Sequence, residues 1–253
     1  MEPKSFNSAI YKVDWMVKDI IAFTTTRHCP ASVEGSIAPF DSFNLGDHVG
    51  DSSSQVLKNR QVLKRFLPND CEIQWLNQVH GSTVAKIEAP SSRSIQADAQ
   101  FTNKSKIALA IMTADCLPIL LSSKCGTEVA AIHGGWKCLA AGIIENTVKS
   151  FSLPSSELVA WLGPCIGKNA FEVGREVVDC FIEKGQIFSS AFHSHQNSKY
   201  FGDLQKIASI QLKNLGLQNI SSLQHCTYSD TNNYFSYRRE PVTGRMATLI
   251  CKI

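Results

Sequence analysis

Ile107-Ala108-Leu109-Ala110-Ile111-Met112-Thr113-Ala114-Asp115-Cys116-Leu117-Pro118-Ile119-Leu120-Leu121 is the most apolar stretch of the 253-residue chain, and its reading decides the fold. It is shorter than the roughly 20 apolar residues a bilayer span requires, and Asp115 and Pro118 interrupt it. A membrane segment is therefore excluded there. Its first part, Ile107–Met112, is a short apolar run closed by small and polar residues, the pattern of a buried strand. Runs of the same kind recur at Ile20–Thr25, Ile73–Leu76, Thr83–Ile87, Val129–Ile132, Leu158–Leu162, Ile220–Leu223 and Ala247–Cys251. Helical patterns lie between them. Ser54–Leu67 carries Val56, Leu57, Leu63, Phe66 and Leu67 at helical spacing, with Ser53 or Ser54 as cap. Leu139–Ser150 and Val173–Lys184 read alike, and Asp203 is placed to cap Leu204–Leu215, with Gly216 as the stop. Interleaved strands and helices predict an α/β or α+β fold, a layered sandwich of mixed sheet flanked by helices. No repeat or linker divides it, so residues 1–253 are expected to form a single domain.

Hydrophobic residues make up 43% and charged residues 19%, which excludes a disordered or collagen-like chain. A chain of this length buries enough surface to fold without a staple, so any metal site would serve function. The net charge is +3 and the basic residues are scattered, the densest group being Lys58, Arg60, Lys64 and Arg65 on a predicted helix. Neither a basic excess nor a recognition motif supports nucleic-acid binding. Nine cysteines occur with no CxxC pair, and MEPKSFNSAIYKVDW has no apolar leader core. Reduced thiols in a cytoplasm are the expectation.

Three segments place chemistry-bearing residues at the C-terminal ends of apolar runs: Gln78-Val79-His80-Gly81, Thr113-Ala114-Asp115-Cys116 and His133-Gly134-Gly135-Trp136. Strand ends are where the loops of such folds converge on a site. Two imidazoles and a thiolate suit Zn²⁺ and leave its fourth position open, which lowers the pKa of a bound water towards roughly 7. Asp115 is the neighbouring carboxylate for proton transfer, beside His80 and Cys116. The gaps of 36 and 17 residues follow no local ligand-spacing rule, so a core or loop role for each stays open. Copper suits the same ligands. Asn44 and His48, in the turn-rich Asn44–Gly50, read as a turn or as a substrate rim. Cys165, in Gly163-Pro164-Cys165-Ile166-Gly167, reads as a strand exit or a pocket thiol. Arg238, in Phe235–Arg239, reads as a solvated turn or an anion site. Gly134–Lys137, opening a helix, could offer backbone N–H groups to an anion, although it lacks P-loop spacing. His193 and His195 read as solvated.

Taken together the segments resemble a known family. Phe43–Asp51, Asn59-Arg60, Gln78–Gly81, Ala97-Asp98-Ala99, Thr113–Pro118, Ala131–Trp136, Leu139–Gly142, Leu162–Gly167, Phe171–Gly174, Phe235–Arg239 and Thr243–Ala247 follow the order of the YfiH-like family, also called the multicopper polyphenol oxidoreductase or laccase-domain family. The resemblance runs from about Phe23 to the C-terminus. It implies a cytotoxic-necrotizing-factor-like fold with Zn²⁺ on His80, Cys116 and His133. It also implies phosphorolysis of adenosine, inosine, guanosine and methylthioadenosine, and hydrolytic deamination of adenosine. Asn44, His48, Arg60, Gln78, Cys165 and Arg238 are the expected substrate contacts, with Arg238 and Arg60 the candidates for phosphate. Purine nucleosides and phosphate are the expected partners, with no nucleic acid or membrane, and the protein is expected to be a monomer or homodimer. The chain departs from the family at Cys138, where glycine is usual, and in the loop after Thr25. Two alternatives stand beside this reading: a copper-dependent phenol oxidase, and a non-catalytic zinc-binding module.

Overall fold

The computed structural model describes residues 9–253 except 16, 32 and 92. Residues 1–8 of the N-terminal stretch and Ser92 of the polar loop at 91–94 lie outside the described residues. Two sheets face each other. The first has the order Ile10–Lys12, Ile20–Thr25, Met246–Lys252, Ile107–Thr113, Glu72–Gln74, antiparallel except for the last pair. The second runs Asn219–Ser222, Leu158–Leu162, Leu117–Ser123, Val129–Gly134, Ala99–Thr102, Val84–Lys86, antiparallel inside and parallel at both edges.

The period of two along each strand builds the layers. Leu109 and Ile111 point between the sheets, where they meet Leu120, Val129, Ala131, Trp161 and Ile250. Ala108 and Ala110 point the other way, onto Phe43, Leu45, Leu63 and Leu249 beneath helix Ser53–Lys64. On the far side of the second sheet, Ile119, Leu121, Ala130, Ile132 and Leu162 are covered by Leu139, Ile144, Val178, Ile207 and Leu212 of the remaining helices. The order is helix, sheet, sheet, helices, as expected of a layered sandwich. Each fully buried leucine or isoleucine contributes about 1.5–3 kcal/mol.

Several elements differ from expectation: the strand expected at Ile73–Leu76 is divided into Glu72–Gln74 and Leu76–Asn77 in different sheets, and Val173 belongs to a strand before the helix Arg175–Ile182. The helix predicted over Leu139–Ser150 is split into Trp136–Ala140 and Ile143–Val148 by Gly142 at φ 81°, a left-handed break that leaves the apolar spacing unchanged. The apolar stretch continues past Cys116 as a second strand, Leu117–Ser123. Asp115 at φ 95° turns the chain out of the first sheet into the second, and Asp tolerates that region better than most residues. This crossing brings the ends of Ile107–Thr113, Leu117–Ser123 and Val129–Gly134 to one end of the sandwich. No helix among the described residues is long and apolar enough to cross a membrane.

Candidate metal centre and cleft

Asp98 organises this end of the molecule. It is fully buried, directly before Ala99–Thr102. Its carboxylate accepts the backbone N–H of Val79 (3.3 Å), His80 (2.9 Å) and Gly81 (2.6 Å). That grip holds His80 at φ 61°, a conformation a histidine rarely adopts unaided. The same carboxylate lies 2.9 Å from Nδ1 of His133, so that ring donates to Asp98 and keeps Nε2 for the other side. His80 and His133 meet edge to face with centroids 4.7 Å apart. Cys116 Sγ lies 4.0 Å from His80 Nε2.

One donor atom from each of His80, Cys116 and His133 falls within 4.8 Å of the others. The set fits a single borderline-soft ion: bonds of about 2.0–2.3 Å to nitrogen and sulfur require donors to sit only a little closer than this. The open side requires Gly135, where a Cβ would come within 3.1 Å of Cys116 Sγ and 3.4 Å of His80 Cδ2. Electrostatics agree with ligation. Burial pushes the Cys116 thiol up, but His133 and then His80 outweigh it and bring the thiol down to about 6. Burial opposes charge on His133, yet the Cys116 charge and Asp98 raise that imidazole well above its ordinary value. For Asp98 burial is likewise outweighed, here by His133 and the Gly81 N–H, which hold its carboxyl below the usual range. Cys138 packs behind the centre, Sγ 3.8 Å from His133 Nδ1, its thiol pushed up by burial.

The cluster forms one wall of a cleft of about 410 Å³, lined also by Val79, Trp136, Lys137, Phe171, Tyr237 and Arg238. Asp115 lines it too, but its carboxylate is already engaged by Thr227 Oγ1 (2.6 Å), Ser236 Oγ (3.0 Å) and the Arg238 N–H (2.7 Å). It anchors the segment carrying Tyr237 and Arg238. Both oxygens of the residue expected to carry protons thus accept donors the fold supplies.

Of the expected substrate contacts only Arg238 reaches this cleft. Asn44 is buried inside its own turn, bonded to Gly46, Asp51 and the Arg245 N–H. Arg60 lies over the Trp75 ring at 4.1 Å, pairs with Asp47 at 3.3 Å and donates to Leu45 O. Gln78 spends both ends of its amide on the Met112 backbone. With His48 it borders a different hollow of about 380 Å³. Cys165 borders a third, of about 370 Å³, and burial pushes its thiol well up. Polar residues knotted into turns resemble rim residues in sequence, and hydrogen bonding inside the loop decides between them.

Several residues at the site had no expected role. Asp98 lay in a quoted segment, and its position opposite His133 needed the register of Ile132 with Ala99. The side chains of Lys137, Trp136, Phe171 and Tyr237 had no individual role either, although three of them lie in segments read as possible anion sites. Arg245 stands 5.8 Å from the Tyr237 centroid and donates to Thr243 O and Gly244 O.

The family described as multi-copper polyphenol oxidoreductase laccase matches residues 21–252. A Pseudomonas aeruginosa protein named a purine nucleoside phosphorylase is 44% identical over 239 residues, 93% of this chain and 97% of its own length. The purine nucleoside phosphorylase YfiH of Escherichia coli K12 is 43% identical over 215 residues, 85% of this chain and 88% of its own. Among solved structures, a Neisseria meningitidis protein superposes with a TM-score of 0.91 at 36% identity, covering 96% of this chain and 99% of that one. Bacillus licheniformis YfiH superposes with a TM-score of 0.90 at 25% identity, covering 97% of each.

Proposed function

The chain belongs to the multi-copper polyphenol oxidoreductase laccase family, and from that membership and its cleft we propose that it is a zinc-dependent purine nucleoside phosphorylase. The substrates are adenosine, inosine, guanosine and methylthioadenosine, and adenosine is also deaminated by hydrolysis. One observation carries the reading: His80 and Cys116, converging with the buried His133, line a cleft large enough for a nucleoside, in a chain whose relatives are named as phosphorylases. His80, Cys116 and His133 would hold the ion, which supplies a Lewis acid and a lowered pKa for water. Trp136, Phe171, Tyr237 and Val79 exclude water from the bound nucleoside. Arg238, fixed through its backbone by Asp115, faces the cleft as an anion-binding group. Adenosine incubated with and without phosphate tests this directly. Adenine should appear only with phosphate, ammonia in either case, and His80→Ala should lose both activities. Unchanged turnover in that variant overturns the role of the centre.

The copper-oxidase reading requires ligands for several ions. Among the described residues the two ligand-capable groups, His80/Cys116/His133 and Asp98/His133/Cys138, share His133 and so serve one ion. Copper in the purified protein with oxygen uptake on a phenol would reverse the ranking. A closed four-ligand site without turnover would identify a binding module instead.

A further inference from the structure

Resting on the phosphorylase reading, we infer that Lys137 and Arg238 together form the inorganic-phosphate site of the cleft. Both side chains line the cleft that His80 and Cys116 border. Arg238 is held at two points, by its N–H on Asp115 and by Nη1 on Glu172 O at 3.0 Å, with its guanidinium 5.7 Å from the Phe171 centroid. Nε and Nη2 have no hydrogen-bond partner among the described residues, so part of a planar fork stays available. Lys137 packs its ammonium 5.8 Å from the Trp136 centroid and makes no ion pair among the described residues. The one carboxylate lining the cleft, Asp115, is already occupied by three donors. A fixed guanidinium and an exposed ammonium, neither neutralised, select an oxyanion: Arg binds two oxygens in a set plane, and Lys supplies a point charge.

The chemistry closes without another reactant. A phosphate oxygen forms a bond to the anomeric carbon as the glycosidic C–N bond breaks. The electron pair of that bond leaves on the purine nitrogen, and the proton of hydrogen phosphate ends there. The products are the free base and a pentose 1-phosphate. Lys137 and Arg238 keep the attacking anion in line while positive charge develops on the sugar.

Steady-state phosphorolysis at saturating nucleoside, with inorganic phosphate varied, tests the assignment in the zinc-loaded protein. Lys137→Gln and Arg238→Gln should each raise the KM for phosphate by about tenfold to a hundredfold, the effect of one lost charge-assisted hydrogen bond. The KM for the nucleoside should barely move, and Lys137→Arg should recover most of the loss. Lys184→Ala, which removes a surface charge elsewhere, should leave phosphate KM where it was. Calorimetric titration with inorganic phosphate should weaken in parallel, independently of turnover. If both glutamine variants keep the parental phosphate KM and phosphate affinity, the site is wrong while the phosphorylase reading stands. If the parent protein binds phosphate through these residues yet cleaves no nucleoside, the phosphorylase reading fails and the anion site stands.

Discussion

Asp98 joins the His133 imidazole and the His80 backbone N–H through one carboxylate, so it is the residue on which ligand geometry depends. Asp98→Asn should lower zinc affinity roughly 10–100-fold, as loss of such an outer hydrogen-bonding partner does, measured by competition with a chromophoric chelator. Unchanged affinity would show that the ligands orient themselves. Cys116 should be alkylated by iodoacetamide after the metal is stripped and protected after zinc is restored, as peptide mapping would reveal. Equal labelling in both states would remove Cys116 from the ligand set. Asp115→Ala should weaken substrate binding by freeing the segment of Tyr237 and Arg238, without a changed pH profile; a lost limb of that profile would restore its expected part in proton transfer. At this scale His80, Cys116 and His133 were legible because each closes an apolar run. Asn44, Arg60 and Gln78 lie outside the cleft, which sequence could not show because their side-chain partners, Gly46, Trp75 and the Met112 backbone, are set by the fold.

Elements were legible where the pattern was pure. Ile20–Thr25 and Leu158–Leu162 appear with the expected bounds, and Leu204–Asn214 is capped by Asp203 as its sequence indicated, the carboxylate accepting the Lys206 N–H at 2.9 Å. Asp203→Ala should therefore cost about 1 kcal/mol, which in a chain of this size lowers the melting temperature by roughly 2–4 °C. Calorimetry that finds no decrease would dismiss the cap. Ala99–Thr102 escaped notice because Gln100 breaks its apolar character; its amide crosses between the sheets to Gln74 O and Ala110 O, a pairing visible only once both sheets exist. Leu117–Ser123 was hidden by Pro118, which sits near the start of the strand, where a missing N–H is tolerated.

The described residues form three large buried clusters, one between the sheets and one beyond each, and a small fourth of Tyr234, Phe235 and Met246. Such a core needs no ion to hold it, so chelator treatment should abolish turnover while leaving the far-UV circular dichroism intact; collapse of that spectrum would make the metal a structural staple. The layered order followed from composition and periodicity, whereas the pairing order did not, since strands distant in the chain adjoin. Met246–Lys252 lies between Ile20–Thr25 and Ile107–Thr113, and its Met246 pairs with Thr113 beside the Asp115 turn. Deleting residues 246–252 would leave two facing strand edges with an open slot between them, a template for pairing between molecules. Such a variant should be recovered as aggregate rather than as a shorter folded protein, and a monodisperse, folded product would show that the slot closes by itself.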